Sequence, residues 1–166
     1  TFQIYLPRAE IKAGEGLVER IADSAQLSSA QSSLTYSNLN ILVVDNESVI
    51  TALLEVHLQG LNHNPTIVTN AEEALRLYEL NEYDLVISDV NMPGMSGFEL
   101  CKRITAQKPE VRFCLMSGYF EAENVTAFSK LGVIGYLKKP FNPQTVEELI
   151  SSAMAHQFTK KDTQHY

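Results

Sequence analysis

Five short apolar runs, at residues 41–44, 66–68, 85–88, 113–116 and 135–137, alternate with five stretches whose apolar residues recur at helical spacing. Runs this apolar and β-branched fit strands covered on both faces. Residues 39–158 therefore read as five β/α repeats, an α/β fold with a doubly wound five-stranded parallel sheet, right-handed crossovers and helices on both faces. The first helix, 47–59, is expected to turn Val49, Ile50, Leu53, Leu54 and Leu58 inward. The second opens on Asn70 and Glu73 in a capping-box arrangement and carries Ala74, Leu75 and Tyr78 inward. In the third, 96–107, Leu100, Cys101 and Ile104 share a face, and the fourth, 121–131, is short and weakly amphipathic, a candidate for mobility. The fifth starts at Asn142-Pro143, an N-cap followed by proline, and buries Val146, Leu149, Ile150 and Ala153.

Polar groups with related chemistry stand at the carboxyl ends of four of these strands, where open α/β sheets bind ligands. Asp45 closes Ile-Leu-Val-Val-Asp, Asp89 closes Leu-Val-Ile-Ser-Asp, Ser117 ends the fourth run and Lys139 follows the fifth. Beyond Asp89 the chain cannot continue as a strand, because Pro93 lacks an amide donor and Gly94 and Gly97 permit unusual backbone angles. Taken one at a time, each residue has a plain structural account. Asp45 would cap the first helix, Asp89 would accept loop amides, Ser117 would sit in a turn and Lys139 would be a solvated lysine.

The segment Asp-x-x-Met-Pro-Gly-Met-Ser-Gly, from Asp89 to Gly97, resembles the phosphorylation loop of response-regulator receiver domains, and residues 39–158 resemble a receiver throughout. The resemblance implies the flavodoxin-like strand order 2-1-3-4-5, which sets Asp45 beside Asp89. Unit charges about 4 Å apart at an effective dielectric near 20 repel by roughly 4 kcal/mol, so such a pair invites a divalent cation, and oxygen ligands suit Mg²⁺. By the same resemblance Asp89 is the phosphoacceptor, attacking the phosphorus of a phosphohistidine. Asp45, Asp89 and the backbone carbonyl of Asn91 are metal ligands, while Ser117 and Lys139 contact the phosphoryl group. Ser117 and Tyr136 form the switch that remodels the face of the fourth helix, fifth strand and fifth helix, and Asn91 and Tyr119 tune the lifetime of the phosphate.

The departure is Asn46, where most receivers carry a second metal-binding Asp. Its neutral amide oxygen still coordinates, but with less charge, so Mg²⁺ affinity is expected to be weaker, with Glu47 a substitute through water. A rival of another class is a pseudo-receiver that works by protein contact without phosphorylation. A third, an aspartate phosphatase resembling the haloacid-dehalogenase group, needs a second Asp two residues after the nucleophile, and Asn91 stands there. At most slow autophosphatase activity is expected of the receiver itself.

Ahead of the repeats, residues 1–8 alternate Phe2, Ile4 and Leu6 against polar neighbours and stop at Pro7, which resembles the last strand of a sensor histidine kinase ATP-binding domain. Residues 9–38, rich in Gly, Ser, Ala and Gln, read as a linker interrupted by a short helix, with a span of roughly 30 Å if flexible. Residues 159–166 read as a flexible tail. The expected architecture is the C-terminal receiver of a hybrid sensor histidine kinase, the parent chain being the phosphotransferase. Its partners would be the kinase domain of the same or a cognate chain and a histidine phosphotransfer protein. A DNA-binding output is disfavoured by the few residues after Phe158. A net charge of −7 argues against nucleic acid, and no apolar run is long enough to contact a membrane by spanning it. Cys101 and Cys114 are expected as buried thiols in a cytoplasmic setting, with any membrane anchor upstream, and the four histidines as solvated side chains.

Overall fold

The computed structural model describes residues 36–119 and 122–157, so the strand expected at 1–8, nearly all of the linker and the tail lie outside the described residues. The described chain runs β1 (Asn40–Val44), α1 (Ser48–Gly60), β2 (Asn64–Val68), α2 (Ala71–Leu80), β3 (Leu85–Asp89), α3 (Gly97–Gln107), β4 (Phe113–Ser117), α4 (Ala122–Ser129), β5 (Val133–Lys138) and α5 (Pro143–Ala155). All strand pairs are parallel and the order is β2-β1-β3-β4-β5, as the resemblance implied.

The two faces of the sheet are written in alternate strand positions. Leu42, Val44, Val86 and Leu115 point to one side, where they meet Ala74 of α2 and Leu100 of α3. Ile41, Val43, Ile87 and Met116 point to the other, against Leu54 of α1 and Ile150 of α5. Fully burying such side chains contributes about 1.5–3 kcal/mol each, which is why the strands carry almost no polar residue until their ends. Gly135 in β5 has a packing reason, since a Cβ there would stand 2.8 Å from both Cys114 Sγ and Leu149 Cδ1. Without a side chain it lets α5 close onto β4.

Three expectations need correction. Val49 and Leu53 do not face the core. The buried line of α1 is Thr51, Leu54 and Leu58, and at 100° per residue Val49 and Leu53 fall about 140° and 100° away from Leu54. They are exposed, as is Val56. His63 is buried, not solvated, because its N–H bonds back to Leu58 O (2.9 Å) and its Nδ1 faces the Leu39 amide at 3.4 Å. Burial lowers its pKa. At α2 the Asn70 side chain accepts from the Glu73 amide, whereas the reciprocal capping box belongs to α5, between Asn142 and Thr145. Both cysteines are free and buried, as expected.

Candidate functional site

The sheet order brings the carboxyl ends of β1, β3 and β5 to one rim, and Lys139 joins them. Asp45 extends β1 by one rung, its amide donating to Val68 O at 3.2 Å. Its Oδ1 accepts the Glu47 amide at 2.8 Å and its Oδ2 meets Lys139 Nζ at 2.7 Å. The N-cap of α1 is Glu47, so Asp45 is not the helix cap. Asp89 ends β3 with Oδ2 on the Asn91 amide and Oδ1 on Lys139 Nζ, both at 2.7 Å. A third carboxylate, Glu47 Oε1, reaches the same ammonium at 3.1 Å. An ammonium has three donors, and here three carboxylates take them.

This arrangement is electrostatically uneven, with three acids around one base. Burial alone would lower the Lys139 pKa, but the hydrogen bonds it donates to Asp45, Asp89 and Glu47 outweigh it and hold the ammonium above the ordinary lysine value. For Asp45, burial raises the carboxyl pKa, the Lys139 ammonium and the Glu47 amide pull it back, and the Asp89 charge adds to the rise. The folded pKa of Asp45 thus exceeds its unfolded value of 3.8. Its protonation therefore favours the folded state as pH falls through the folded pKa, and its charge costs stability at neutral pH. Asp45→Asn is expected to stabilise the fold at neutral pH by about 1 kcal/mol, because Lys139 keeps two partners and no charge is orphaned. Urea unfolding should show that advantage shrinking as the pH is lowered; an advantage independent of pH would contradict the account.

The loop after Asp89 is shaped by its sequence. Gly94 takes a left-handed φ of 77°, and Ser96 caps α3 by accepting the Glu99 amide at 3.2 Å. Met92 and Met95 are buried beneath the loop, pinning it to the core. Gly97 donates to Val90 O at 3.1 Å and lies so close to the Asp89 carbonyl that a Cβ has no room.

Ser117 ends β4 beside this cluster, its carbonyl accepting the Lys139 amide at 2.8 Å. Its hydroxyl donates to Tyr119 O at 2.9 Å, so in this state it is turned to its own loop. Tyr119 is 73% exposed. Tyr136 is half-buried, its hydroxyl 3.1 Å from Ser129 Oγ and its ring beside Phe128 of α4. Asn46 is exposed at the mouth. Sequence reasoning missed Glu47 as a partner of Lys139. The signal was present, an acid two residues after Asp45, but only the fold brings it to a lysine 92 positions away.

The residues match, from 41 to 151, the family model of the response regulator receiver domain. The chain belongs to that family. Among curated proteins it is 30% identical over 123 residues to the transcriptional regulatory protein ZraR of Escherichia coli K12, covering 74% of this chain and 28% of that one. It is 32% identical over 127 residues to the transcriptional regulatory protein YvrH of Bacillus subtilis, covering 76% and 53%. The chain thus spans about half or less of the length of these relatives. Among solved structures, the chemotaxis protein CheY4 of Vibrio cholerae superposes with a TM-score of 0.68 at 28% identity, over 70% of this chain and 99% of that one.

Receiver domains accept a phosphoryl group on an aspartate and use Mg²⁺ in doing so. In this receiver, no three His, Cys, Asp or Glu among the described residues form a ready metal-holding group, and the Lys139 ammonium stands where three carboxylates converge. The oxygen-only donor set, with Asp45 Oδ2 buried and paired to nothing else, is nevertheless of the kind a hard divalent ion takes. No described helix is long and apolar enough to cross a membrane.

Proposed function

We propose that this receiver takes a phosphoryl group from a phosphohistidine onto Asp89 and passes it on, or uses it to regulate a kinase, within a two-component phosphorelay. The observation that carries the reading is the convergence of Asp89, Asp45 and Lys139 on one point at 2.7 Å. Asp89 is held for attack by the Asn91 amide on one oxygen while the other faces the ammonium. Lys139 would neutralise charge on the phosphoryl oxygens. Mg²⁺, held by Asp45, Asp89 and the Asn91 carbonyl, would supply further charge neutralisation at the phosphoryl group. Asn46 in place of an acid would make that binding weaker. Ser117 would leave Tyr119 O for the phosphoryl group, and Tyr136 would then move from its half-buried place beside α4. Tyr119 and Asn91 would govern access of water to the acyl phosphate. Incubation with acetyl phosphate and Mg²⁺, followed by intact mass, tests the proposal. One added phosphoryl supports it; none favours a pseudo-receiver.

The donor would be a histidine kinase domain or a histidine phosphotransfer protein. Val49 (77% exposed), Leu53 and Val56 line one outer stripe of α1, and α1 begins next to Glu47 at the site mouth. Three exposed apolar residues at that spacing fit an amphipathic helix laid along α1, which would bring a histidine on it over Asp89. Leu53→Glu is expected to slow transfer from a phosphorylated histidine protein about tenfold, the effect of losing ~1.4 kcal/mol of docking, and to leave labelling by acetyl phosphate unchanged. Equal slowing with both donors would count against the docking face. Placement behind a kinase ATP-binding domain, as the C-terminal receiver of a hybrid kinase in the cytoplasm, rests on the likeness of residues 1–8 to the closing strand of such a domain.

A further inference from the structure

The carboxylates on Lys139 differ in one respect that bears on which phosphodonors the site accepts. Asp45 is fully buried and the Asp89 side chain is 7% exposed, whereas Glu47 is 61% exposed. Glu47 is also the longest of the three contacts, 3.1 Å against 2.7 Å. Its backbone is fixed, the amide bonded to Asp45 Oδ1 and the carbonyl accepting from Ile50 and Thr51 at the start of α1. The side chain therefore leans back across the entrance from an anchored base. Counting the three acids against one ammonium leaves the metal-free site with an excess of two negative charges, and a cation on Asp45 and Asp89 would leave Glu47 as the acid still facing the entrance. Of these acids, Glu47 is the one that an approaching solute meets. Its neighbour Asn46, also exposed, is neutral and adds no charge of its own.

We propose that Glu47 is a specificity-determining residue, an electrostatic screen that disfavours small, freely diffusing, multiply charged phosphodonors relative to less charged ones. The proposal rests on Asp89 being the phosphoacceptor. With acetyl phosphate, an Asp89 carboxylate oxygen forms the new P–O bond and the P–O bond to the acetyl group breaks. Acetate departs with that electron pair, and no proton or oxidant is required. The donor arrives as an anion of about two charges and must first pass Glu47. A like charge within a few ångströms at a solvent-exposed entrance lowers the local concentration of such a donor, and salt screens the effect. Once the donor is seated, Glu47 yields Lys139 to the phosphoryl oxygens, because its contact is the longest of the three and its own side chain is mostly exposed. The burden therefore falls on capture of the donor and not on the chemical step.

The test compares wild type, Glu47→Gln and Glu47→Asp for Mg²⁺-dependent phosphorylation, followed by intact mass against donor concentration. At saturating Mg²⁺, so that any part Glu47 takes in holding the cation does not enter, Glu47→Gln is expected to lower the acetyl phosphate concentration for half-maximal rate by about threefold at low salt. The gain should fall toward unity as salt is raised. With phosphoramidate, which carries less negative charge, the gain should be smaller. Glu47→Asp keeps the charge and should behave as wild type. A gain in Gln that survives high salt, or that Asp shares, would make the effect steric and overturn the proposal. Equal behaviour of wild type and Gln at low salt would overturn it too, while leaving Asp89 as acceptor. If wild type itself takes no phosphate, the acceptor reading fails and this one falls with it.

Discussion

Asp89→Asn is expected to abolish phosphorylation by acetyl phosphate and Mg²⁺, the mass staying that of the unmodified chain while wild type gains one phosphoryl group. An amide oxygen keeps the shape of the carboxylate but is a far poorer nucleophile and carries no charge to balance Lys139. The nearest substitutes are unfit. Asp45 is fully buried, with one oxygen bound to the Glu47 amide and the other to Lys139. Glu47 reaches Lys139 from an exposed position and has no second carboxylate oxygen held by a loop amide as Asp89 has on Asn91. The variant is also expected to be at least as stable as wild type, since it removes one of three acids competing for one ammonium, and this separates lost chemistry from lost fold. Residual phosphorylation of the Asn variant at wild-type rate would remove Asp89 from its role.

The second large effect concerns a residue that touches no ligand. Gly97→Ala is expected to destabilise the domain by about 2–3 kcal/mol and to slow phosphorylation of Asp89. The added Cβ would fall onto the Asp89 carbonyl, with Ser88 Oγ also within 2.8 Å. Neither obstacle is a free side-chain end: one is strand backbone and the other is a buried hydroxyl bonded to that same carbonyl at 3.0 Å. The first turn of α3 would have to withdraw, breaking the Gly97 N–H bond to Val90 O. Because that bond closes the loop against the end of β3, Asp89 would lose the orientation fixed by Asn91. Urea unfolding and the rate of labelling should change together. An unaltered unfolding midpoint would show that the loop yields more easily than its contacts indicate.

Much of this molecule was legible in advance. The central strands β1, β3 and β4 are largely apolar because both faces are covered, so the polar residue at or just past the end of each marks the rim of the sheet. That is how Asp45, Asp89, Ser117 and Lys139 could be picked out as candidates for one site. Helices α3 and α5 announced their starts and buried faces through Ser96, Asn142-Pro143 and the spacing of Leu100, Ile104, Val146 and Ile150. The outward turn of Val49 and Leu53 was not legible, since a helix with apolar residues around more than half its girth does not declare which arc the sheet will cover. Burial of His63 was hidden for a related reason: one histidine in a turn carries no periodicity at all.

The sequence by itself determined the layered α/β architecture, because strand and helix periods are local properties of neighbouring residues and hydrophobic burial permits few ways to stack them. Only the tertiary structure decided that a single ammonium serves three carboxylates from β1, the start of α1 and β3, and that the Ser117 hydroxyl rests on Tyr119 O. Those choices depend on distances between side chains far apart in the chain, and on a Coulomb balance that changes by kilocalories over an ångström. No local pattern encodes them.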